Sequence, residues 1–111
     1  MKRGEIYFAA LDPTRGSEIQ KTRPVIIVSN DAANRASSLV TVVPLTSNLS
    51  HVHPFEVKLS ARETGLTKDS KAMAQQVRTI DRARLGSIRK GFAPIGKMRM
   101  VDDALRLHLA L

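Results

Sequence analysis

An arginine stands directly before a proline at the start of an apolar run. Arg23 precedes Pro24, and residues 25–28 are all branched and apolar. Proline disfavours the helical conformation in the residue before it, so Arg23 is expected to be extended. A guanidinium is planar, permanently charged and able to form paired hydrogen bonds with phosphate oxygens. The stretch therefore predicts either a phosphate-binding arginine held on a strand or a surface arginine paired with Asp31 or Glu18.

Polar groups also appear abruptly where a second apolar run ends. Thr46 and Ser47 follow this run, and Asn48 comes next. The two hydroxyls can donate to a phosphate oxygen, or they can serve in a turn or a helix cap, which is the commoner use of such a pair. Residues 75–79 likewise place polar groups in a stretch that otherwise resembles core, and an exposed strand face would also explain them.

The remaining chemistry-bearing residues do not form a recognisable catalytic or metal-binding pattern. His51 and His53 lie on the same side of an extended segment, but a metal needs a third ligand, so no metal or other cofactor is predicted. His108 falls in an apolar helical stretch, which favours a structural role. The chain has no cysteine, which excludes disulfides, thiolate metal sites and a cysteine nucleophile. Aromatic residues make up only 4% and are far apart, which argues against a stacking platform for single strands.

The charge balance points to a polyanionic partner. Eighteen Lys and Arg oppose ten Asp and Glu, giving a net charge of +8 and a pI near 10.6. Such a surface favours a nucleic acid or an acidic protein, although solvated surface charge is the simpler explanation. A length of 111 residues predicts one domain over residues 1–111. With no cysteine, no leader and no membrane-spanning run, we expect a cytoplasmic protein.

The hydrophobic pattern predicts a mainly β fold with a C-terminal helix. We predict strands at residues 4–11, 24–29, 39–46, 55–59 and 71–80, then a helical turn near residues 81–85 and a short last strand at 86–92. The long loop at residues 12–23 is typical of a functional or disordered segment. Pro44 suggests a sheet edge or a bulge. From Pro94 the period becomes 3.6, with Met98, Val101, Leu105 and Leu109 on one helix face. Short strands with a final helix indicate a small barrel or strongly bent sheet.

Five segments resemble, in order and spacing, the MazF/PemK/Kid ribonuclease toxins of bacterial toxin–antitoxin pairs. These segments are RGEIYFAALDPTRGSE, KTRPVIIVSND, VTVVPLTS, KDSKAMAQQVRTIDRARL and MVDDALRLHLAL. The resemblance covers nearly the whole chain and implies a small SH3-like barrel with a C-terminal α-helix, working as a homodimer. It implies metal-independent cleavage of single-stranded RNA at a short sequence, leaving a 2′,3′-cyclic phosphate and a 5′-hydroxyl. It also implies a partner, an antitoxin whose acidic, disordered tail covers the RNA site.

The same resemblance assigns roles to particular residues. Arg23 and Thr46 match the catalytic pair of the family. Because arginine stays protonated, we assign Arg23 to charge stabilisation and leave the general base open, with Glu18 as a candidate. The positions that match the RNA groove of the family are Ser17, Glu18, Lys21, Asn48, Gln76 and Arg78. The chain departs from the family where the last helix begins, because Pro94, Gly96 and Lys97 replace the usual acidic cap.

Two functions of other kinds stay open. A toxin of the same barrel shape can poison DNA gyrase by protein contact without cutting RNA, and a basic RNA-binding domain can lack activity altogether. The pair Arg23 and Thr46 favours the ribonuclease, since neither alternative needs it. The sequence does not reveal the RNA sequence that is cut, the class of RNA or the antitoxin. We expect the loops at residues 12–22 and 47–54 to decide the RNA sequence.

Overall fold

The elements of the chain follow its hydrophobic pattern closely. The computed structural model describes residues 1–11 and 22–111. Its strands are β1 (Glu5–Ala10), β2 (Thr22–Ile27), β3 (Leu39–Thr46), β4 (Glu56–Leu59), β5 (Ser70–Met73), β6 (Arg78–Asp81) and β7 (Gly91–Phe92). Its helices are α1 (Asp31–Ala36), α2 (Ala61–Thr64) and α3 (Ile95–Leu109), with 3₁₀ turns at Ala74–Gln76 and Arg82–Arg84. In these two ranges, no helix has both the length and the apolar character to cross a membrane.

The described strands form one antiparallel sheet in which β3 is the central element. The strand order is β4-β5-β3-β2-β1-β7, and β6 also pairs with β3. One side of β3 pairs with β2, while the other side pairs with β6 along its first half and with β5 along its second half. A sheet that divides in this way curls, and α3 packs against it. The predicted fold class, a mainly β barrel-like sheet with a C-terminal helix, is confirmed.

Apolar residues are buried on both sides of the sheet. β2 contributes Ile26 to a first cluster and Val25 and Ile27 to a second, because successive strand residues point to opposite faces. α3 covers the first cluster with three buried side chains, Met98, Val101 and Ala104. Leu109, which we predicted on the buried face of this helix, is 50% exposed.

The prediction of a single strand over residues 71–80 is wrong. Leu45 of β3 pairs with Ala72 of β5. If β5 continued in the same register, residue 75 would pair with Val42 of β3. Instead, Val42 faces Arg78 of β6. The two registers differ by three residues, which is the length of the 3₁₀ turn Ala74–Gln76 between the strands. The turn therefore absorbs the change of register.

The suggestion that Pro44 marks an edge or a bulge is also wrong. Pro44 lies inside β3, is buried and pairs with Val25 of β2. On the opposite side of β3, β6 pairs with residues 39–42 and β5 with residues 45–46. Pro44, which has no backbone N–H to donate, thus lies between the part of β3 that pairs with β6 and the part that pairs with β5.

The start of α3 is held by a cation instead of an acidic cap. Pro94 occupies the N-cap position and provides no side-chain hydrogen bond. Lys97 in the first turn donates to the carbonyl of Lys58 at 3.2 Å and lies 4.0 Å from Glu63 Oε2. These contacts fix the helix start against β4 and α2, which accounts for a lysine at an unfavourable end of the helix dipole.

Candidate functional site

Arg23 and Thr46 lie at the same end of two neighbouring strands. The last residue pair that β2 and β3 form at this end is Val25 with Pro44, and Arg23 and Thr46 each lie two residues beyond it on their own strand. A step of two residues keeps the same face of a strand, so both side chains lie on the side of the second apolar cluster. On its other side, Arg23 pairs with Ala9 of β1. The backbone at Arg23 is therefore constrained by its pairing with β1.

The Arg23 side chain is half-buried and has no hydrogen bond or ion pair with any residue in the described ranges. The proposed surface pairing with Asp31 is not formed, because the Asp31 carboxylate accepts the backbone N–H of Arg3 at 2.7 Å. Glu18, the other suggested partner, lies outside the described residues. A half-buried guanidinium at a strand end can bind an oxyanion.

Thr46 forms a turn and keeps its hydroxyl hydrogen available. Its Oγ1 accepts the backbone N–H of Asn48 at 3.2 Å. A hydroxyl that accepts one hydrogen bond can still donate its own hydrogen, so Thr46 can bind a phosphate oxygen while it shapes the turn. The side-chain oxygen Oδ1 of Asn48 in turn accepts from the backbone N–H and the hydroxyl of Ser50, at 3.1 and 2.8 Å. The turn function and the phosphate function are therefore compatible.

The other residues predicted from the family lie at greater distances or outside the described chain. Arg78 is half-buried in β6 opposite Val42, which is four residues, or about 13 Å, from Thr46 along β3. Gln76 ends the 3₁₀ turn, and its amide nitrogen lies 3.5 Å from Met73 Sδ. The structure thus joins Thr46 with Asn48 and places Arg23 at the same end of the neighbouring strand. Three further predicted positions lie outside the described residues, namely Ser17, Glu18 and Lys21.

A buried ionic group beside Thr46 was not predicted. Lys71 of β5 faces Thr46 and donates to Glu56 Oε1 at 3.0 Å, and Gln75 donates to Glu56 Oε2 at 2.7 Å. Glu56 is 7% and Lys71 is 9% exposed. In the sequence, Glu56 and Lys58 alternate with apolar residues in the same way, so no local pattern distinguishes the buried charge from the exposed one.

The Glu56 carboxylate stays ionised because its hydrogen bonds outweigh its burial. Burial alone would raise the pKa of Glu56, but hydrogen bonds from the His53 N–H, the Gln75 amide and the Lys71 ammonium lower it to about 2. Both Glu56 oxygens are occupied by these donors. The group therefore forms a charged, directional centre between β4 and β5.

Histidine and phenylalanine rings form a row along the loop between β3 and β4. The ring centroids of His51 and His53 are 4.1 Å apart, His53 stacks on Phe55 at 5.0 Å, and Phe55 lies 6.3 Å from His108 of α3. The low content of Phe and Tyr in the sequence does not reveal this row, because three of its four rings are histidines. His108 is exposed at its end instead of buried in the core. Among the described residues, no group of three His, Cys, Asp or Glu side chains could hold a metal ion.

The chain is similar to known toxins over its whole length. The sequence profile of the PemK-like, MazF-like toxins of type II toxin–antitoxin systems matches residues 2–109. Endoribonuclease MazF9 of Mycobacterium tuberculosis is 46% identical, with 100% of this chain and 98% of the relative covered. Endoribonuclease EndoA of Bacillus subtilis is 38% identical, with 100% and 96% covered. A solved endoribonuclease in complex with its cognate antitoxin, from a mycobacterial species, superposes with a TM-score of 0.80 at 26% identity, with 100% and 96% covered.

Proposed function

Because this chain belongs to the PemK-like, MazF-like toxin family of type II toxin–antitoxin systems, we propose that it cuts single-stranded RNA at a short sequence without a metal ion. Its endoribonuclease activity follows from its full-length similarity to MazF9 and EndoA, both named as endoribonucleases. The observation that carries the proposal is the placement of Arg23, which has no side-chain partner among the described residues, and of the Thr46 hydroxyl just beyond the last pair of two neighbouring strands.

The proposed reaction uses the RNA as its own nucleophile. The 2′-oxygen attacks the adjacent phosphorus, the bond from phosphorus to the 5′-oxygen breaks, and the leaving oxygen takes a proton. The products are a 2′,3′-cyclic phosphate and a 5′-hydroxyl. Such a reaction requires an in-line arrangement and stabilisation of the charge that builds up on the phosphate oxygens. Arg23 supplies a permanent cation and Thr46 supplies a neutral donor for these oxygens.

The group that removes the 2′-hydroxyl proton stays open. Glu18 remains the candidate that the family resemblance suggests, and it lies outside the described residues. Glu56 is a poor choice although it is close to Thr46. With a pKa of about 2 and both oxygens accepting hydrogen bonds, its carboxylate is a weak base that RNA cannot reach.

We also propose two protein partners. An acidic antitoxin is supported by the net charge of +8 and by the solved relative, which is in complex with its cognate antitoxin. A homodimer is supported by large apolar side chains on the surface, including Met100, Leu107 and Leu111 at 48%, 57% and 86% exposure. Met100 and Leu107 lie seven residues apart on one face of α3, and Leu111 follows the end of the helix. Exposed apolar side chains of this kind favour burial against another chain.

The proposal is tested by incubating the purified protein with a long single-stranded RNA in EDTA and mapping the ends. We expect cuts at one recurring sequence, each leaving a 2′,3′-cyclic phosphate. Arg23→Ala should slow cleavage by about 100-fold or more, the scale seen when one donor to a developing oxyanion is lost. Thr46→Val should slow cleavage similarly and keep most of the RNA affinity. Arg99→Ala on the exposed face of α3 removes the same charge and should cut normally.

Each remaining outcome identifies a different function. Uncut RNA from folded wild-type protein would rule out the ribonuclease and leave a toxin that acts on DNA gyrase by contact. RNA that is bound but never cut, with Arg23→Ala and Thr46→Val equal to wild type, would indicate a binding domain. Cleavage that stops in EDTA and returns with a divalent cation would refute metal independence alone.

A further inference from the structure

We propose that the buried side chains of Lys71 and Glu56 anchor the loop at residues 47–55 by binding its backbone, and thereby help to select the RNA sequence that is cut. The inference rests on the proposed ribonuclease function and adds two positioning residues to it. The loop joins the end of β3, which carries Thr46, to the start of β4 at Glu56. Its conformation therefore determines what lies beside the scissile phosphate.

The anchor contacts the loop backbone directly. Lys71 Nζ donates to the carbonyl of His51, and its second partner is Glu56 Oε1 at 3.0 Å. Glu56 Oε1 accepts the His53 N–H at 2.9 Å, and the Glu56 N–H donates to the His53 carbonyl at 2.9 Å. Two backbone positions of the loop, His51 and His53, are thus bound by one buried pair of charges. Gln75 holds the second carboxylate oxygen at 2.7 Å.

Such a pair is better explained by orientation than by stability. Burying two charges costs desolvation energy, and apolar residues of similar volume are often as stable at such a position. Apolar side chains, however, cannot form the directional hydrogen bonds that Lys71 and Glu56 make with the His51 carbonyl and the His53 N–H. The position of Lys71 opposite Thr46 in the register places this directional contact next to the proposed catalytic threonine.

The anchored loop presents groups that can recognise bases. His51 and His53 are exposed, and their rings form the row that continues through Phe55. Asn48, also exposed, begins the loop. Unpaired RNA bases are recognised by stacking on rings and by hydrogen bonds to their edges, so the direction of these side chains decides which bases fit. Lys71 and Glu56 are buried below the loop and act through it.

The test compares Lys71→Met with Lys58→Met. Methionine keeps most of the apolar stem of Lys71 and removes its donors. Lys58 faces Lys71 across the β4–β5 pair but is exposed, so its loss removes the same charge without releasing the loop. Each variant is incubated with the same long RNA, and the initial cleavage rate is measured at the best sequence and at all sequences that differ from it by one base. We expect Lys71→Met to reduce the preference for the best sequence by about tenfold or more, with Lys58→Met unchanged and Lys71→Arg close to wild type.

The outcomes separate this inference from the proposed function. A folded Lys71→Met that cuts the wild-type sequences with the wild-type preference would overturn the anchor, whereas a wild-type protein without activity would overturn the ribonuclease. Amide hydrogen exchange tests the anchor without RNA, because release of the loop should speed exchange at His53 about tenfold in Lys71→Met. If Lys71→Met does not fold, the double variant Lys71→Met/Glu56→Gln is tested in its place, because it leaves no unpaired buried charge. A wild-type preference in this double variant would equally reject the proposal.

Discussion

At the residue scale, the partners of an arginine distinguish structure from chemistry. Arg82 donates to the carbonyls of Asn34 and Ser37, and Arg84 donates to the carbonyls of Ala10 and Leu11. These side chains fasten the surface of the fold and are not free to bind a substrate. Arg23 has no such contact within the described residues. A net positive charge therefore says little about a site until the engaged cations have been identified.

The same scale gives a prediction for pH. The pKa of Glu56 is lowered from 4.5 to about 2 by its hydrogen bonds, so the folded state favours the carboxylate. The corresponding stability, on the order of 3 kcal/mol, is present above pH 4.5 and is lost as the pH falls toward 2. Urea unfolding of wild type and Glu56→Gln between pH 6 and 2 measures this contribution. We expect the difference in unfolding free energy between the two proteins to shrink as the pH falls, and a constant difference would contradict the prediction.

At the element scale, the registers of β5 and β6 explain how one segment supports two parts of the sheet. A second close fit lies between β7 and α2. A Cβ placed on Gly91 would overlap the carbonyl oxygen of Thr64, which belongs to the backbone and cannot rotate away. α2 is itself held by a capping box between Ser60 and Glu63 and ends at Gly65 with φ of 84°. β7 can therefore approach this helix only where it carries no side chain.

Two glycine substitutions test this fit with opposite expected signs. Gly91→Ala should lower the free energy of unfolding by about 2 kcal/mol or more, because backbone must move to admit the methyl group. Gly96→Ala should raise it by roughly 0.5 to 1 kcal/mol, since a Cβ there has open space and alanine favours the helix. Denaturant unfolding of both variants beside wild type measures the two changes. A Gly91→Ala protein as stable as wild type would show that β7 can move away from α2 without loss.

At the scale of the whole molecule, the net charge of +8 determines how association responds to salt. Binding of single-stranded RNA by such a surface releases counterions, so affinity falls as salt rises. Raising the KCl concentration from about 50 to 200 mM should weaken RNA binding by Thr46→Val roughly tenfold or more. The cleavage rate of wild type at saturating RNA should change much less, since Arg23 acts at close range. Equal affinity at both salt concentrations would argue that the basic surface does not meet RNA.

What the sequence determined by itself was local. The strand at Arg23, the end of β3 at Thr46, the helix after Pro94 and the fold class all follow from periodicity and from backbone restrictions that act within a few residues. The family motifs added the pairing of Arg23 with Thr46, whose catalytic roles stay a prediction.

Only the tertiary structure decided which distant residues meet. Three features depend on which strands pair and in what alignment: the placement of Arg23 and Thr46 at one end of β2 and β3, the three-residue change of register before Arg78, and the burial of Lys71 with Glu56. Strand pairing joins groups far apart in the chain, and no local pattern records the alignment. The environment of a charge follows from that alignment as well, which is why Glu56 and Lys58 look alike in the sequence while only one of them is buried.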